Sequence, residues 1–245
     1  MRNIWTIARR EYNHNFISPV AYVFMFVVFI TLGVLFFLDV LFASQTPQYV
    51  PGVDGLLTLF VFPLMFFGVP ALTMRSVADE NRSGTLELLM TAPITDMQLI
   101  VGKWLGAFLF LLTMTVITLI YPLILNTMID PGLDLGILAA NYLGLVLLLA
   151  AISAVGVAIS SFFSNQIASL LASLGMMLIL WIISAPSQLM QGTASTVIKY
   201  LGVPGHFYDT FMTGMIRVDD IAYFVSMTVL ALVIGTYAVE SRRWK

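Results

Sequence analysis

Residues 104–125 read WLGAFLFLLTMTVITLIYPLIL, a run without one charged side chain. A segment this long and this apolar spans a bilayer as a helix, because lipid offers no partner for a backbone amide and a helix satisfies its own. A barrel strand would alternate polar and apolar residues over about ten positions, and this run does not. Lys103 stands at its start and Pro122 interrupts its far end. The whole chain matches the run: over 245 residues 60% are apolar and only 10% charged. Soluble domains carry roughly a quarter charged residues, so an integral membrane protein is expected.

Five further runs of the same kind are expected at 19–42, 56–74, 137–159, 167–184 and 221–239. Pro19 suits the first turn of its helix, where a missing N–H costs little. Pro63, Gly68 and Pro70 predict a kinked or locally unwound second span, a hinge or a packing bend. The loop 43–54 carries Pro47, Pro51 and Gly52 but no Lys or Arg, and Asp130-Pro131-Gly132 forms a short acidic turn. Residues 160–166 read as a serine-rich bend between spans. Ser153, Gly156 and Ser160, and again Ala168, Ala172 and Gly175, permit close helix packing. Within the chain is the simpler reading, with one set available to a second subunit. Residues 185–220 read as a folded-back segment with one or two short interfacial or re-entrant helices, on which Phe207, Phe211, Met212, Met215 and Ile216 share a face.

The densest charged island lies at 79–96, DENRSGTLELLMTAPITD. Ser83 is placed to cap a short helix with Glu87 in its first turn, and Pro93 to end it. Leu86, Leu89 and Met90 then share one face, with Glu87 and Thr91 on the other. Two readings stand: a docking element held between two spans, or a loop lying on lipid headgroups. At the start of the chain, residues 1–16 mix Ile4, Trp5, Ile7, Ala8 and Tyr12 with Arg2, Arg9, Arg10 and Glu11. This is either a polar lead-in or an interfacial helix, its apolar side among acyl chains and its arginines at phosphates. No signal-peptide order is present, so no cleavage is expected.

The run from Glu80 through Gly84-Thr85-Leu86-Glu87-Leu88-Leu89 and Pro93 to Gly102-Lys103 resembles the cytoplasmic loop of ABC-2 type transporter permeases. Ala8-Arg9-Arg10-Glu11, Ser18-Pro19-Val20-Ala21-Tyr22 and His206-Phe207-Tyr208-Asp209 through Asp219-Asp220 extend the likeness to both ends. These flanks are most similar to the gliding-motility-associated and nitrous-oxide-reductase-maturation permeases. The resemblance implies one ABC-2 type transmembrane domain over residues 1–245. It is all-α and polytopic, with six transmembrane helices, an N-terminal interfacial helix bearing Arg9, Arg10 and Glu11, and a cytoplasmic coupling helix between spans 2 and 3. Arg82, Gly84, Thr85, Leu86, Glu87, Leu89 and Pro93 would then touch an ABC ATPase subunit. A second permease subunit, identical or not, and an extracytoplasmic accessory protein are further implied partners. No nucleic acid is expected.

Charge orients the chain independently of that likeness. Six spans put both termini on one side, with Arg2, Arg9, Arg10, Arg75, Arg82, Lys103, Arg242, Arg243 and Lys245, leaving Lys199 and Arg217 opposite. The positive-inside rule makes the first side cytoplasmic, and the family resemblance implies a bacterial inner membrane.

Several chemistries are missing from the sequence. No Gly-x-x-x-x-Gly-Lys-[Ser/Thr] occurs, so ATP and Mg belong to a partner ATPase and this chain is not expected to be an enzyme or to carry a cofactor. His-Glu-x-x-His and Gly-x-Ser-x-Gly are also absent. His14 and His206 are expected on opposite sides, which rules out a metal shared between them. His206 and Asp209 read as a surface pair. Asp39 and Glu240 sit near span ends, which leaves ion coupling little to work with. The expected function is an ATP-driven permease, an exporter by family likeness, with a membrane anchor or force-transmitting subunit as the alternative.

Overall fold

The computed structural model describes residues 2–46, 49, 51–82, 94–130 and 132–241. Among these the chain is helical and has no strand, and it carries six helices long and apolar enough to cross a membrane. A first helix, α1 (Arg2–Ile17), precedes them. Span 1 is α2 (Pro19–Gln45), which follows an extended Ser18 and has Pro19 in its first turn.

Span 2 is broken where its prolines predict. Helix α3 (Val53–Pro63) passes into a π-helical turn, Leu64–Gly68, then into α4 (Val69–Thr73) and, past a turn, α5 (Ala78–Arg82). Pro63 and Pro70 lack the N–H groups that would bond back to Leu59 and Phe66, and the widened turn absorbs the mismatch. Span 3 begins eight residues before the apolar run does. Thr95 caps α6 (Asp96–Thr118) in a box with Gln98, so polar residues start a helix that the hydrophobic pattern alone places later. The interruption near Pro122 separates α6 from α7 (Ile120–Met128).

Asp134 accepts the Gly136 and Ile137 amides, at 2.7 and 3.2 Å, to open α8 (Leu135–Phe162), and Asn165 opens α9 (Gln166–Ile182) in the same way. The expected bend at 160–166 is therefore only three residues long. Ser160 and Ser161 stay helical because their hydroxyls find partners in place: Ser161 bonds the Ala158 carbonyl and Ser160 bonds span 2.

Helix α8 is the centre of the molecule, packed by α6, α9, α4 and the last span, α12 (Val218–Glu240). Its small residues allow this: Gly156 faces Thr73 and Gly144 faces Phe211, each with no room for a Cβ. The matching set on α9 behaves differently. Ser169, Ser173 and Met177 form its buried face, while Gly175 has nothing within 4 Å.

Residues 185–217 fold as short pieces: a 3-10 turn (Ala185–Leu189), α10 (Thr193–Leu201), α11 (Val203–Tyr208) and a second 3-10 turn (Phe211–Thr213). The short helices expected here are present as α10 and α11, but Phe207, Phe211, Met212, Met215 and Ile216 do not share one helical face, because Gly214 adopts φ +84° and ends the second 3-10 turn. Met215 and Ile216 are exposed, Phe207 and Phe211 are buried in the core, and Met212 packs partly buried against it. His206 is not a surface partner of Asp209. It is buried, stacks on Tyr223, and its Nδ1 lies 2.6 Å from Asp220 Oδ1. Its Nε2 donates to the Tyr200 carbonyl at 2.7 Å. On the same face the Tyr49 hydroxyl donates to Asp39 at 2.6 Å, which raises the phenol above its usual pKa.

Helix α1 lies along α6. Ile4 and Ile7 meet Gly102, Ala8 and Tyr12 meet Gly106, and Phe16 packs edge-on against Phe110. Side chains of Asn3 and Gln98, and of Tyr12 and Thr113, hydrogen-bond across the seam. Of the apolar residues expected among acyl chains, Ile4, Ile7, Ala8 and Tyr12 are turned to α6, while Trp5 stays exposed. A Cβ on Gly106 would sit 2.9 Å from the Ala8 carbonyl oxygen. Gly106→Ala should therefore lower the melting temperature of the purified chain, at a cost of about 1–3 kcal/mol. Gly175→Ala should leave it unchanged or raise it by up to ~1 kcal/mol. Equal effects of the two substitutions would show that α1 is not seated on α6.

Candidate coupling site at the N-terminal face

Lys103 begins the apolar run of α6, yet only 2% of its side chain is exposed. Burying an ammonium costs several kcal/mol unless it is paired. Its Nζ lies 3.0 Å from Glu11 Oε1 of α1 and 2.9 Å from Glu80 Oε1 of α5. Both carboxylates are themselves mostly covered. Gly102 and Gly106 create the geometry: without side chains on either flank of Lys103, α1 comes close enough for Glu11 to reach it.

Around Glu80 the start of the charged island is held from several directions. The Val77 and Ala78 amides donate to Ser160 Oγ of α8 at 3.1 and 3.2 Å, and that hydroxyl donates in turn to the Met74 carbonyl. Asn81 reaches the Phe163 carbonyl at 3.2 Å, and Gln166 bonds Asp79. Beneath them Val77, Leu99, Ile100, Val157 and Val239 form a small apolar cluster that joins spans 2, 3, 4 and 6. Helix α5 is five residues long, but three other helices, α6, α8 and α9, determine where it sits.

Of the residues singled out in the sequence, Arg9 and Arg10 are exposed on α1 while Glu11 turns inward to Lys103. Arg82 is exposed at the end of α5. Gly84, Thr85, Leu86, Glu87, Leu89 and Pro93 lie outside the described residues. Sequence reasoning missed the Glu11–Lys103–Glu80 triad and the role of Ser160. The available signal was Gly102-x-x-x-Gly106, a small-residue spacing for close helix approach that also brackets the lysine.

Removing the ammonium leaves two carboxylates facing each other, whereas removing one carboxylate leaves a pair. Lys103→Met should therefore destabilise the chain by about 3 kcal/mol or more, and Glu11→Gln by clearly less. Melting curves of the two variants in one detergent test this. Equal losses would show that the triad does not act as one unit.

The comparison with known families bears on this arrangement. The model of the ABC-2 family transporter protein matches residues 41–239, from the end of the first span to the end of the last. No curated protein matches the chain. With the match covering most of the sequence and six spans in place, the chain belongs to the ABC-2 transporter family, as a multi-pass membrane permease component of an ABC transporter.

Proposed function

We propose that this chain is the permease subunit of an ATP-driven exporter, moved by a separate ABC ATPase that docks on the N-terminal face. The observation that carries this reading is the anchoring of Ala78–Arg82. The segment entering the charged island is bonded to α6, α8, the α8–α9 turn and α9, and through Lys103 it is linked to α1. A push on the island therefore loads a packed body of helices rather than a slack loop.

On this reading Leu86 and Leu89 fill an apolar groove of the ATPase, Arg82 and Glu87 pair at its rim, and Gly84, Thr85 and Pro93 shape the turn that presents them. ATP and Mg are bound by the partner. Nine of the eleven Lys and Arg residues lie on this side, which supports a cytoplasmic face and cytoplasmic termini in a bacterial inner membrane. Two permease subunits, identical or paired with a second kind, complete the transporter. The outer segment of short helices is the surface open to an accessory protein. Within the family, the end motifs favour the gliding-motility and nitrous-oxide-reductase-maturation type.

The tagged chain should co-purify with a P-loop ATPase in mild detergent, and Leu86→Asp/Leu89→Asp should abolish the recovery. Glu87→Arg should uncouple ATP hydrolysis from transport while leaving the melting temperature unchanged. Absence of any ATPase from a folded preparation would overturn the reading. ATPase activity insensitive to all substrates would instead favour a force-transmitting subunit.

A further inference from the structure

A cleft of about 160 Å³ opens between α1, the start of α2 and the stretch Gly68 to Glu80 of span 2. It is smaller than the roughly 300–1,000 Å³ of ordinary small-molecule sites. Its walls differ in character. One carries Arg10, His14, Arg75 and Lys103 with Glu11, Asp79 and Glu80; the other is Ala21, Phe24, Ala71 and Leu72, on membrane helices.

The Lys103 ammonium is shared by Glu11 and Glu80, and Asp79 is bonded by Gln166. Arg75 is different. It makes no hydrogen bond or ion pair among the described residues, although its Nε is sealed from solvent. A guanidinium so placed carries a desolvation cost that an oxyanion would offset, and its fork fits phosphate oxygens two at a time. Arg10 lines the same wall from the exposed side of α1.

The direction of the cleft selects the kind of phosphate. The charged wall comes from α1 and the end of span 2, and the apolar wall from the start of α2 and from Ala71 and Leu72 of α4; further along α2 the outer face carries Phe26, Ile30, Phe37 and other exposed apolar side chains. A phosphodiester bearing acyl chains satisfies both walls, whereas a soluble phosphate satisfies one. Arg10, Arg75 and Lys103 are balanced by Glu11, Asp79 and Glu80, so an anion that brings its own cation suits the wall better than one that does not.

We propose that this cleft binds one zwitterionic phospholipid, its phosphate on Arg75 and Arg10 and its protonated amine toward the carboxylates of Asp79 and Glu80. The lipid would lie between α1, α2 and the end of span 2 and fill a seam where direct packing is sparse. The site shares Asp79 and Glu80 with the anchored segment but none of the residues assigned to ATPase contact, so its test does not depend on ATPase docking.

Native mass spectrometry of the full-length chain in detergent, titrated with phosphatidylethanolamine, tests the site. One lipid per chain should be retained at concentrations where phosphatidylglycerol is not, and phosphoethanolamine or inorganic phosphate should not displace it. Arg75→Gln should weaken retention at least about tenfold, the worth of one charge-assisted hydrogen bond. Because Arg75 is partly buried, Arg10→Gln on the exposed side of α1 serves as a second variant and should also weaken binding. Wild-type retention in a folded Arg75→Gln or Arg10→Gln chain would overturn the proposal. Displacement by inorganic phosphate would overturn the lipid assignment, and equal retention of phosphatidylglycerol the zwitterionic one.

Discussion

The ammonium of Lys103 is the point on which the N-terminal face depends. In a chain this poor in charge, a lysine at the head of a membrane helix can reach out to headgroups or find carboxylates. It finds two, from segments that precede it by 92 and 23 residues, and so ties α1, α5 and α6 into one body. The interaction is directional because the lysine is sheathed: glycines on both sides admit α1, and the cluster of Val77, Leu99 and Ile100 closes the span 2 side. Once Glu80 is placed, the Ser160, Asn81 and Gln166 bonds extend the same body to α8 and α9.

Span 2 combines that rigid end with a soft middle. Above Thr73 the helix is pinned to α8, with Thr73 pressed on Gly156. Below it lies the π-helical turn between Pro63 and Pro70, where the regular ladder is already interrupted. Bending a helix costs least where its hydrogen bonds are already missing. On the proposed coupling, a load entering at α5 would pass through the pinned α4 and α5 and be released near the π-helical turn.

The spans were legible because lipid imposes a simple rule on composition, and Pro63 and Pro70 marked the irregular turn correctly. Span boundaries were less legible where polar side chains extend a helix, as Thr95 and Gln98 do for α6 and Ser160 and Ser161 for α8. In the outer segment the short helices were legible but the face shared by its apolar residues was not. Apolar residues recurred at helical spacing through 207–216, but spacing cannot register that Gly214 takes a left-handed conformation and that Phe211 is drawn into the notch at Gly144. His206 was assigned its near neighbour in sequence, Asp209, whereas its partner is Asp220 on the next helix. The triad needed three distant segments at once, and only the two glycines beside Lys103 hinted at it.

What sets the register of these helices is a small number of polar contacts, because apolar surface in lipid has little preference for protein over acyl chains. Most buried hydroxyls do not contribute: Thr73, Thr115 and Thr228 bond carbonyls four residues back on their own helices. The bonds that cross between elements gather toward the two ends. Glu11–Lys103–Glu80 and Ser160 hold one face, and His206 with Asp220, and Tyr223 with the Leu201 carbonyl, hold the other. Between them the α8 contacts rely largely on small residues and shape, with two cross-helix bonds from α6 on the way, Trp104 to the Ala150 carbonyl and Thr118 with the Tyr142 hydroxyl. Two latched faces joined by a middle without a strong polar register can exchange between packings without burying a bare charge, provided each latch moves as a unit.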